Sequence, residues 1–352
     1  MKIYTFFDQI KNNREYAERK TKLDSVPTIE NIEINSDCNL RCTICINPPE
    51  RGQQIMTLEQ VMKITEENHE LLDSQHIWLH HFGEPLKHPE LEGVIQYLNE
   101  KNVNPRFSTN AMLLTDEKSK SIIRAGLKEI VFSIDGTNPD IYNNIRKGAD
   151  FKTVVNNVLN FLDIKKSMNS KTPETQVQFV NLYGDDDEAN KFISYWSATD
   201  VNWINIKRPS TRAMKVRDKN IRNYIMENYT DGNKHNKEYP CYWLWSSLII
   251  LSDGNVVPCC TDITGENILG NVFNQTLMEI WNSDKLMKMR KDQSAGNYTS
   301  SPICEMCPEI RGYSSSFEDK MKYELNQGKN SEKENPGKII KINHHTLIKN
   351  AD

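Results

Sequence analysis

Six strand-like segments alternate with helix-like segments between residues 28 and 207, and this alternation limits the possible folds more than any other feature. The strand-like segments are Thr28–Asn35, His76–Phe82, Asn104–Ser108, Glu129–Ile134, Thr175–Asn181 and Asn202–Lys207. Strands that alternate with helices predict a parallel sheet with right-handed crossovers. Six units are too few for a closed eight-stranded barrel. The pattern therefore predicts an α/β fold, a partial (β/α)6 TIM-like barrel with its site at the carboxyl ends of the strands.

The first strand-like segment leads into a loop with three cysteines, Cys38, Cys42 and Cys45, at the spacing CxxxCxxC. Thiolates are soft ligands that suit iron–sulfur clusters and zinc. A closed zinc site takes four ligands, typically as two close pairs, and this loop has no fourth cysteine nearby. Three thiolates on a four-iron cluster leave one iron open to a substrate or cofactor. A zinc or redox loop is the alternative interpretation of the spacing.

Together with Gly83-Glu84-Pro85 at the end of the second strand, this loop makes residues 28 to 207 resemble the radical S-adenosylmethionine (SAM) family. The resemblance implies that the three cysteines hold a 4Fe–4S cluster whose open iron chelates SAM. It also implies that an electron from the cluster cleaves SAM to a 5′-deoxyadenosyl radical. Ile44 occupies a position that is usually aromatic and faces the adenine. Phe82 replaces the first glycine of the family's GGEP motif, whose carbonyls and Glu84 would accept hydrogen bonds from the SAM ammonium group.

Polar residues also follow the third and fourth strands, and the same resemblance makes them candidate SAM contacts. Ser108, Asn110, Ser133 and Asp135 carry hydroxyl, amide or carboxylate groups that suit the ribose hydroxyls and the SAM carboxylate. Arg146 is a candidate partner for that carboxylate, since a guanidinium pairs with a carboxylate through two parallel hydrogen bonds. The plainer alternatives are polar strand caps and a solvated arginine.

The remaining five cysteines lie in a second module that contains a predicted β-hairpin. Leu248–Leu251 and Asn255–Val257 flank the turn Ser252-Asp253-Gly254, and residues 277–291 are predicted to form one helix. Four cysteines could protect every iron of a second four-iron cluster, and these are Cys241, Cys259, Cys304 and Cys307. The module resembles the twitch domain, a shortened SPASM domain with one auxiliary cluster. A zinc ribbon with the same ligands is the alternative.

Cys260 is the fifth cysteine of this module and directly follows Cys259. Two adjacent thiols do not easily reach one iron, so Cys260 is either a buried spare thiol or a hydrogen-atom donor to a substrate radical. Three histidines, His80, His81 and His88, lie near Gly83 in the sequence, and we expect only His81 to contact substrate.

The chain is therefore predicted to have five parts. They are an N-terminal helix and linker (1–27), a radical SAM core (28–207), a connector (208–238), a twitch or SPASM-like domain (239–312) and a loosely held polar tail (313–352). Within the core, Thr57 is predicted to cap one helix and residues 186–197 to form another. The first part is too short for the leader-peptide-binding domain found in many peptide-modifying relatives.

Composition narrows the possible surroundings. A net charge of −4 gives no reason to expect nucleic-acid binding. No signal peptide and no run of about eighteen apolar residues is present, so we expect no membrane span and a cytoplasmic location. In that compartment the eight cysteines should be reduced and available for metal ligation.

The predicted function is that of a radical SAM enzyme with two 4Fe–4S clusters that oxidises a small, polar, sugar- or cyclitol-like substrate. An electron donor such as flavodoxin or ferredoxin is expected. The alternatives are an epimerase that uses Cys260, a peptide maturase, and a non-catalytic iron–sulfur or zinc protein.

Overall fold

The structure is a computed structural model that describes residues 3–46, 52–207, 209, 218–229, 240–305, 307 and 339–342. The chain divides into two compact units. The first unit contains residues 1–38, 46–106 and 230–330, and the second contains residues 39–45, 107–229 and 331–352. The division falls within the cysteine loop and within the third strand, so both of these segments contribute residues to each unit.

The described residues form ten strands and thirteen α-helices. The strands are β1 Thr28–Ile32, β2 His76–Trp78, β3 Asn104–Thr109, β4 Glu129–Ser133, β5 Glu174–Val180, β6 Trp203–Lys207, β7 Ser247–Ile250, β8 Asn255–Val257, β9 Gly270–Asn271 and β10 Ile339–Ile342. The helices are α1 Ile3–Ala17, α2 Leu58–Glu67, α3 His69–Leu72, α4 Leu91–Glu100, α5 Asp116–Ala125, α6 Pro139–Ile145, α7 Phe151–Ser167, α8 Asp186–Ser197, α9 Lys219–Tyr229, α10 Trp243–Ser246, α11 Leu277–Trp281, α12 Asp284–Ser294 and α13 Pro302–Glu305.

In the first unit, β1 lies between two parallel neighbours, β7 and β2. Asn31 of β1 is opposite Trp78 of β2, and Thr28 is opposite Ser247 of β7. The start of β3 pairs in parallel with β2, from His76 opposite Asn104 onward. The hairpin strands β8 and β9 complete this unit's pairing with antiparallel contacts, β8 to β7 and β9 to β8.

In the second unit, β4, β5, β6 and β10 pair in parallel, in that order. Phe132 of β4 is opposite Val177 of β5, which in turn is opposite Ile204 of β6. Four consecutive residues of β4 are buried, as expected for a parallel strand covered on both faces. The predicted α/β class with parallel strands is confirmed, and the alternation of six such strands with helices agrees with a partial barrel topology.

Two local predictions are confirmed in detail. Thr57 begins α2 with a capping box, in which its hydroxyl accepts from the Gln60 N–H and the Gln60 side chain accepts from the Thr57 N–H. The hairpin turn forms between β7 and β8, where Gly254 has φ +80°. A Cβ at this position would also lie only 2.4 Å from the ring of Phe273, so the turn requires glycine.

The single helix predicted over 277–291 is wrong, because α11 ends before α12 begins. Asn282 lies between them and leaves the helical path to bond the backbone of Leu23, accepting from its N–H at 2.8 Å and donating to its carbonyl at 2.9 Å. Ser283 then begins α12 as its N-cap. This distant backbone partner interrupts the helix, and the local sequence does not show it.

The predicted connector and tail each contain one regular element. The range 208–238 includes α9. Asp218 caps the start of this helix, because its carboxylate accepts from the N–H groups of Asn220 and Ile221. In the predicted tail, Ile339–Ile342 form β10 and pair with β6. The other residues from 308 onward lie outside the described residues. A further helix, α6, was not predicted, and it begins where Asn138 accepts from the Ile141 N–H.

No helix in the described part of the chain is long and apolar enough to cross a membrane.

Candidate active site

Asn35, Asp37 and Gly83 hold the loop that contains Gly83-Glu84-Pro85 against the backbone that leads into Cys38. The Asn35 amide donates to the Glu84 carbonyl at 2.9 Å and to the Asp37 carbonyl at 3.0 Å. Asp37 in turn accepts from the Glu84 N–H at 2.8 Å. A Cβ built on Gly83 would lie only 1.9 Å from the Asn35 carbonyl oxygen. Only glycine allows the two backbones to approach so closely.

Glu84 has a local partner that the motif does not reveal. Its carboxylate accepts from the Leu86 N–H at 3.1 Å and caps the short 3₁₀ turn Pro85–Lys87. The side chain is almost fully buried, at 2% exposure. Lys87, at the end of the turn, forms an ion pair with Asp37. The carboxylate is thus fixed in place before any ligand binds.

In the second unit, the cysteine loop lies along the backbone of residues 145–147. Arg41 N–H donates to the Lys147 carbonyl at 2.9 Å, and Thr43 N–H donates to the Ile145 carbonyl at 2.8 Å. A hydrogen bond of 3.2 Å from Cys45 N–H to the Cys42 carbonyl closes the end of the loop. These bonds fix the path of the backbone on which Cys42 and Cys45 stand. Ile44, between them, is half-buried.

Asp135 and Arg146, both candidate SAM contacts, pair with each other. Arg146 donates from Nε at 2.9 Å and from Nη2 at 2.6 Å to Oδ2 of Asp135, which is fully buried. The second carboxylate oxygen, Oδ1, accepts from the Val180 N–H at 2.9 Å. Burial is the largest single effect on the pKa of Arg146 and lowers it, but Asp135, Cys42 and Tyr142 together hold that pKa above its ordinary value. Direct contact of Asp135 with a ribose is therefore not the role this geometry favours.

The Arg146 guanidinium also lies within electrostatic reach of Cys42. Burial raises the pKa of the Cys42 thiol, while the positive charge of Arg146 opposes this by favouring the thiolate. The third guanidinium nitrogen of Arg146, Nη1, makes no hydrogen bond to the described part of the chain. A cation beside the cysteine loop is thus left with donor capacity for an anionic group.

The other three candidates also interact with neighbours in the second unit. The hydroxyls of Ser108 and Ser133 are 2.9 Å apart, a hydrogen bond between the ends of the third and fourth strands. Asn110 donates to the side-chain oxygen of Asn39 at 2.9 Å, next to the cysteine loop, and accepts from the Met112 N–H. The residues that follow each strand therefore meet local partners as well as being candidate ligand contacts.

The three histidines differ in their surroundings. His88 is buried, its Nε2 lies 2.8 Å from the Met56 carbonyl oxygen, and its Nδ1 accepts from the Glu90 N–H. Both ring nitrogens are thus used within the fold, as expected for a structural residue. The His81 ring packs edge-on against Phe82 with 4.3 Å between centroids. Its expected contact with substrate stays a prediction.

The cysteines of the second module lie close enough to influence one another. The pKa of Cys259 is raised well above its ordinary value, first by burial and then by the neighbouring thiols of Cys260, Cys241 and Cys304. Cys307 follows on the same turn, donating its N–H to the Cys304 carbonyl at 3.3 Å. Thiols lose their protons when they bind a metal, so neighbouring thiols of this kind are candidate metal ligands.

A polar network supports two of these cysteines. Asp262, fully buried, accepts from the Asn267 N–H at 2.7 Å and donates its own N–H to the Cys259 carbonyl. The Asn267 amide donates to the Ser301 hydroxyl at 3.1 Å, and that hydroxyl accepts from the Cys304 N–H at 3.3 Å. Backbone geometry at both cysteines is therefore set by a buried, hydrogen-bonded frame.

Gln293 supports a third cysteine. The side-chain oxygen of this almost fully buried residue accepts from the Cys241 N–H at 2.9 Å. Cys260 faces a different environment. It packs against the apolar cluster formed by Ile249, Leu251 and Val257, which is the surrounding expected of a spare thiol.

None of the eight cysteines forms a disulfide. In the described part of the chain, no three Cys, His, Asp or Glu side chains meet in a geometry that could hold a single metal ion. The donor chemistry nevertheless fits iron–sulfur clusters, since one loop carries three thiols and the second module carries five. Sequence reasoning missed Asn35 and Asn39. Asparagine in a loop is a signal for side-chain to backbone contacts, which Asn35 makes, whereas Asn39 accepts from the Asn110 side chain.

Comparison with protein families identifies both parts of the chain. Residues 32–189 match the radical SAM superfamily. Residues 241–308 match SPASM, an iron–sulfur cluster-binding domain. The first match contains the cysteine loop and all the candidate SAM contacts, and the second contains the remaining five cysteines.

Among characterised proteins, the chain is 22% identical over 292 residues to an S-adenosyl-L-methionine-dependent 2-deoxy-scyllo-inosamine dehydrogenase of Niallia circulans, covering 82% of this chain and 95% of that protein. It is 26% identical over 178 residues to a GTP 3′,8-cyclase of Limosilactobacillus fermentum, covering 49% of this chain and 51% of the cyclase. The chain thus spans nearly all of the dehydrogenase but only about half of the cyclase.

Two solved structures share the fold. BtrN in complex with AdoMet and 2-DOIA has a TM-score of 0.55 and 18% identity, covering 84% of this chain and 98% of BtrN. SuiB of Streptococcus suis bound to its precursor peptide SuiA has a TM-score of 0.61 and 12% identity, covering 90% of this chain and 81% of SuiB.

The family matches imply an oxidoreductase-type enzyme whose cofactors are SAM, a 4Fe–4S cluster and auxiliary iron–sulfur chemistry in the second module. The order of the two matched regions and the cysteines within each agree with the resemblance found in the sequence. The chain therefore contains a radical SAM domain and a SPASM-type iron–sulfur domain.

Proposed function

We propose that this chain is a radical SAM dehydrogenase that oxidises an alcohol carbon of a small, polar, sugar- or cyclitol-like substrate. The observation that carries the proposal is the similarity to the 2-deoxy-scyllo-inosamine dehydrogenase, which extends over 292 residues and 95% of that enzyme. This alignment is longer than either family match alone. Similarity to the cyclases spans only about half of their length and gives less support to their reaction.

When bound, SAM and the clusters supply a radical that abstracts hydrogen and an acceptor for the electron released by oxidation. In this proposal, Cys38, Cys42 and Cys45 hold the SAM-binding cluster. One auxiliary cluster is held by Cys241, Cys259, Cys304 and Cys307. Buried hydrogen bonds position the backbones of Cys241, Cys259 and Cys304. The proposed domain boundaries are 28–207 for the radical SAM core and 239–312 for the second module.

The chain's own residues then bind and orient SAM. The loop Gly83-Glu84-Pro85, fixed against Asn35, presents backbone carbonyls and a buried carboxylate to the SAM ammonium group. In the second unit, Arg146 offers Nη1 to the SAM carboxylate. Asp135 acts as a positioning residue, because its carboxylate holds the guanidinium in one orientation and is itself shielded from contact with ligand.

Polar groups at the ends of the third and fourth strands, in the second unit, are further proposed contacts of SAM. Ser108 and Ser133 share a hydrogen bond and offer their remaining capacity to the ribose. Asn110, anchored on Asn39, lies next to the cysteine loop. Ile44 offers its backbone to the adenine. Each of the polar groups is already oriented by a neighbour, which lowers the entropy cost of binding a flexible cofactor.

The packing of Cys260 favours the proposal of oxidation over that of epimerisation. An epimerase needs a thiol that reaches the substrate radical, whereas the Cys260 side chain packs against Ile249, Leu251 and Val257. A thiol in such an apolar cluster acts as a small hydrophobic group. The epimerase remains the second candidate because Cys260 adjoins Cys259, a proposed ligand.

The proposed location and partners follow from this function. Cluster ligation needs reduced thiols, which a cytoplasmic location maintains, and each turnover needs an electron donor such as flavodoxin or ferredoxin. We propose no nucleic-acid partner, because the net charge is −4. No membrane association is proposed either. A peptide substrate is the alternative to a small molecule, since the SuiB structure with the same fold contains a precursor peptide.

Mass spectrometry after anaerobic turnover tests the proposal. The reconstituted protein, SAM and a reductant are incubated separately with an aminocyclitol panel, a sugar panel and a random peptide library. A product two hydrogens lighter than an aminocyclitol or sugar, formed with 5′-deoxyadenosine, supports dehydrogenation. A product of unchanged mass that carries solvent deuterium would assign epimerisation instead. Modification confined to peptides would replace the substrate class.

A further inference from the structure

Glu33 is a buried carboxylate whose position links two functional segments of the first unit. It follows β1 and is fully buried. Its Oε1 accepts from the Phe82 N–H at 3.3 Å, and its Oε2 accepts from the Ser252 N–H at 3.2 Å. Phe82 immediately precedes Gly83-Glu84-Pro85, and Ser252 begins the turn of the β7–β8 hairpin.

The position of Glu33 depends on an irregularity in β1. The pairing with β7 shifts register between Ile29 and Asn31, so Glu30 is an extra residue on the β1 side. Such a bulge changes which side chains point to each face of a strand. After the bulge, pairing continues to Glu33, whose N–H donates to the Ile250 carbonyl at 2.9 Å. The carboxylate therefore enters the interior instead of the solvent.

A buried carboxylate is costly unless hydrogen bonds replace its hydration. Backbone N–H groups that bond a charged acceptor make stronger contacts than neutral pairs do. Each oxygen of Glu33 accepts from a backbone N–H, and these two N–H groups belong to different loops. Displacing either loop would leave a buried carboxylate oxygen with a weakened partner, so the carboxylate favours one relative arrangement of the two loops.

We propose that Glu33 is a positioning residue that couples the SAM-binding loop to the hairpin turn of the SPASM domain. The backbone of residues 82–85 and the backbone of residues 252–254 then share one anchor. A change at the hairpin, which leads directly to Cys259, alters the loop that holds SAM. The effect on SAM rests on the proposed role of Gly83-Glu84-Pro85, whereas the anchoring of both loops rests only on the observed bonds.

Hydrogen–deuterium exchange on the anaerobically reconstituted full chain tests the coupling. The variant is Glu33→Gln, whose side-chain amide keeps one acceptor and turns a donor toward a second N–H. We expect amides in peptides covering 79–87 and 248–256 to exchange about tenfold faster, as the loss of one hydrogen bond to a charged group predicts. SAM affinity should fall several-fold.

Glu15 provides a matched control in the same unit. It is also buried, and its two carboxylate oxygens accept from the backbone N–H groups of Asp24 and Ser25. Glu15→Gln should accelerate exchange around residues 22–26 and leave the two test peptides and SAM affinity within twofold of the parent. Faster exchange in only one test peptide, in neither, or equally in both variants would overturn the coupling.

The parent protein decides the question if Glu33→Gln does not fold. Coupling is reciprocal, so bound SAM should slow exchange in the peptide 248–256 as well as in 79–87. Protection confined to 79–87 in the SAM-bound parent would contradict the proposal. Neither measurement depends on turnover of a cyclitol, so failure of the proposed dehydrogenase activity would leave this test intact.

Discussion

Arg146 donates two hydrogen bonds to a single oxygen of Asp135, from Nε at 2.9 Å and from Nη2 at 2.6 Å. The other Asp135 oxygen bonds the Val180 N–H. The pair thus joins the end of α6 to the end of β5 in the second unit. It also fixes a cation beside Cys42, where an anionic group of SAM is expected.

Asp135→Asn should therefore destabilise the protein and weaken SAM binding. Removing one partner of a buried ion pair costs about 3–5 kcal/mol, because the other charge is left buried and unpaired. Chemical denaturation of the apo protein measures the loss, and equilibrium dialysis measures SAM affinity.

The exposed pair of Lys166 and Asp200, at 2.9 Å, provides the control. Asp200→Asn should leave the midpoint of denaturation almost unchanged, because solvent screens the pair. Equal losses of stability in Asp135→Asn and Asp200→Asn would show that the buried pair of Asp135 and Arg146 stabilises the protein no more than an exposed pair does.

Gly83→Ala should disrupt the proposed SAM loop. Its new Cβ would lie 1.9 Å from the Asn35 carbonyl oxygen, which belongs to the backbone and cannot move without displacing the cysteine loop. Overpacking of this kind costs about 1–3 kcal/mol. Loss of SAM binding, measured by dialysis at a temperature where the variant is still folded, is the expected result.

Gly93 supplies the matched glycine within α4, in the same unit. A Cβ there would approach only the end of the half-buried Leu58 side chain, at 3.2 Å, which must shift by a few tenths of an ångström. Alanine in a helix interior is favoured over glycine by about 0.5–1 kcal/mol, so Gly93→Ala should be neutral or stabilising. If Gly83→Ala bound SAM as tightly as Gly93→Ala, the loop would not be the SAM site.

Iron content tests the two cysteine groups. The reconstituted parent should hold about eight irons, as two four-iron clusters require. Replacing Cys38, Cys42 and Cys45 together by alanine should leave about half of the iron and abolish SAM cleavage. Elemental analysis that finds one zinc and no second cluster would instead identify the second module as a zinc site.

Much of the fold could be predicted from the sequence because its signals are local. Helix α8 has the predicted bounds, since Asp185 caps its start and apolar residues recur along one face. Hairpin β7–β8 follows from its turn residues. In contrast, the break at Asn282 depends on Leu23, a backbone partner 259 residues away in sequence. No local pattern contains that information.

The candidate site shows the same limit. Cysteine spacing identified the family, and polar residues at strand ends identified the candidate contacts. The sequence did not show which of these contacts pair with each other. Asp135 was expected to face the cofactor, yet its carboxylate accepts hydrogen bonds from Arg146 and Val180, because side-chain partners are set by tertiary packing. Glu33 was likewise hidden, since its burial depends on a bulge that shifts the register of β1.

The final prediction separates oxidation from epimerisation through Cys260. Cys260→Ala should leave iron content and SAM cleavage unchanged, because neither cluster is assigned this thiol. Its packing against Ile249 and Val257 is partly lost, at a cost of about 1 kcal/mol. If the enzyme is a dehydrogenase, this variant should still form product two hydrogens lighter than the substrate, without solvent deuterium. If it is an epimerase, the variant should cleave SAM but form no product, since no thiol returns a hydrogen atom. Turnover of the parent protein in deuterated water distinguishes the two reactions independently. One deuterium in a product of otherwise unchanged composition would show that a hydrogen atom is returned, and epimerisation would replace dehydrogenation as the proposed reaction.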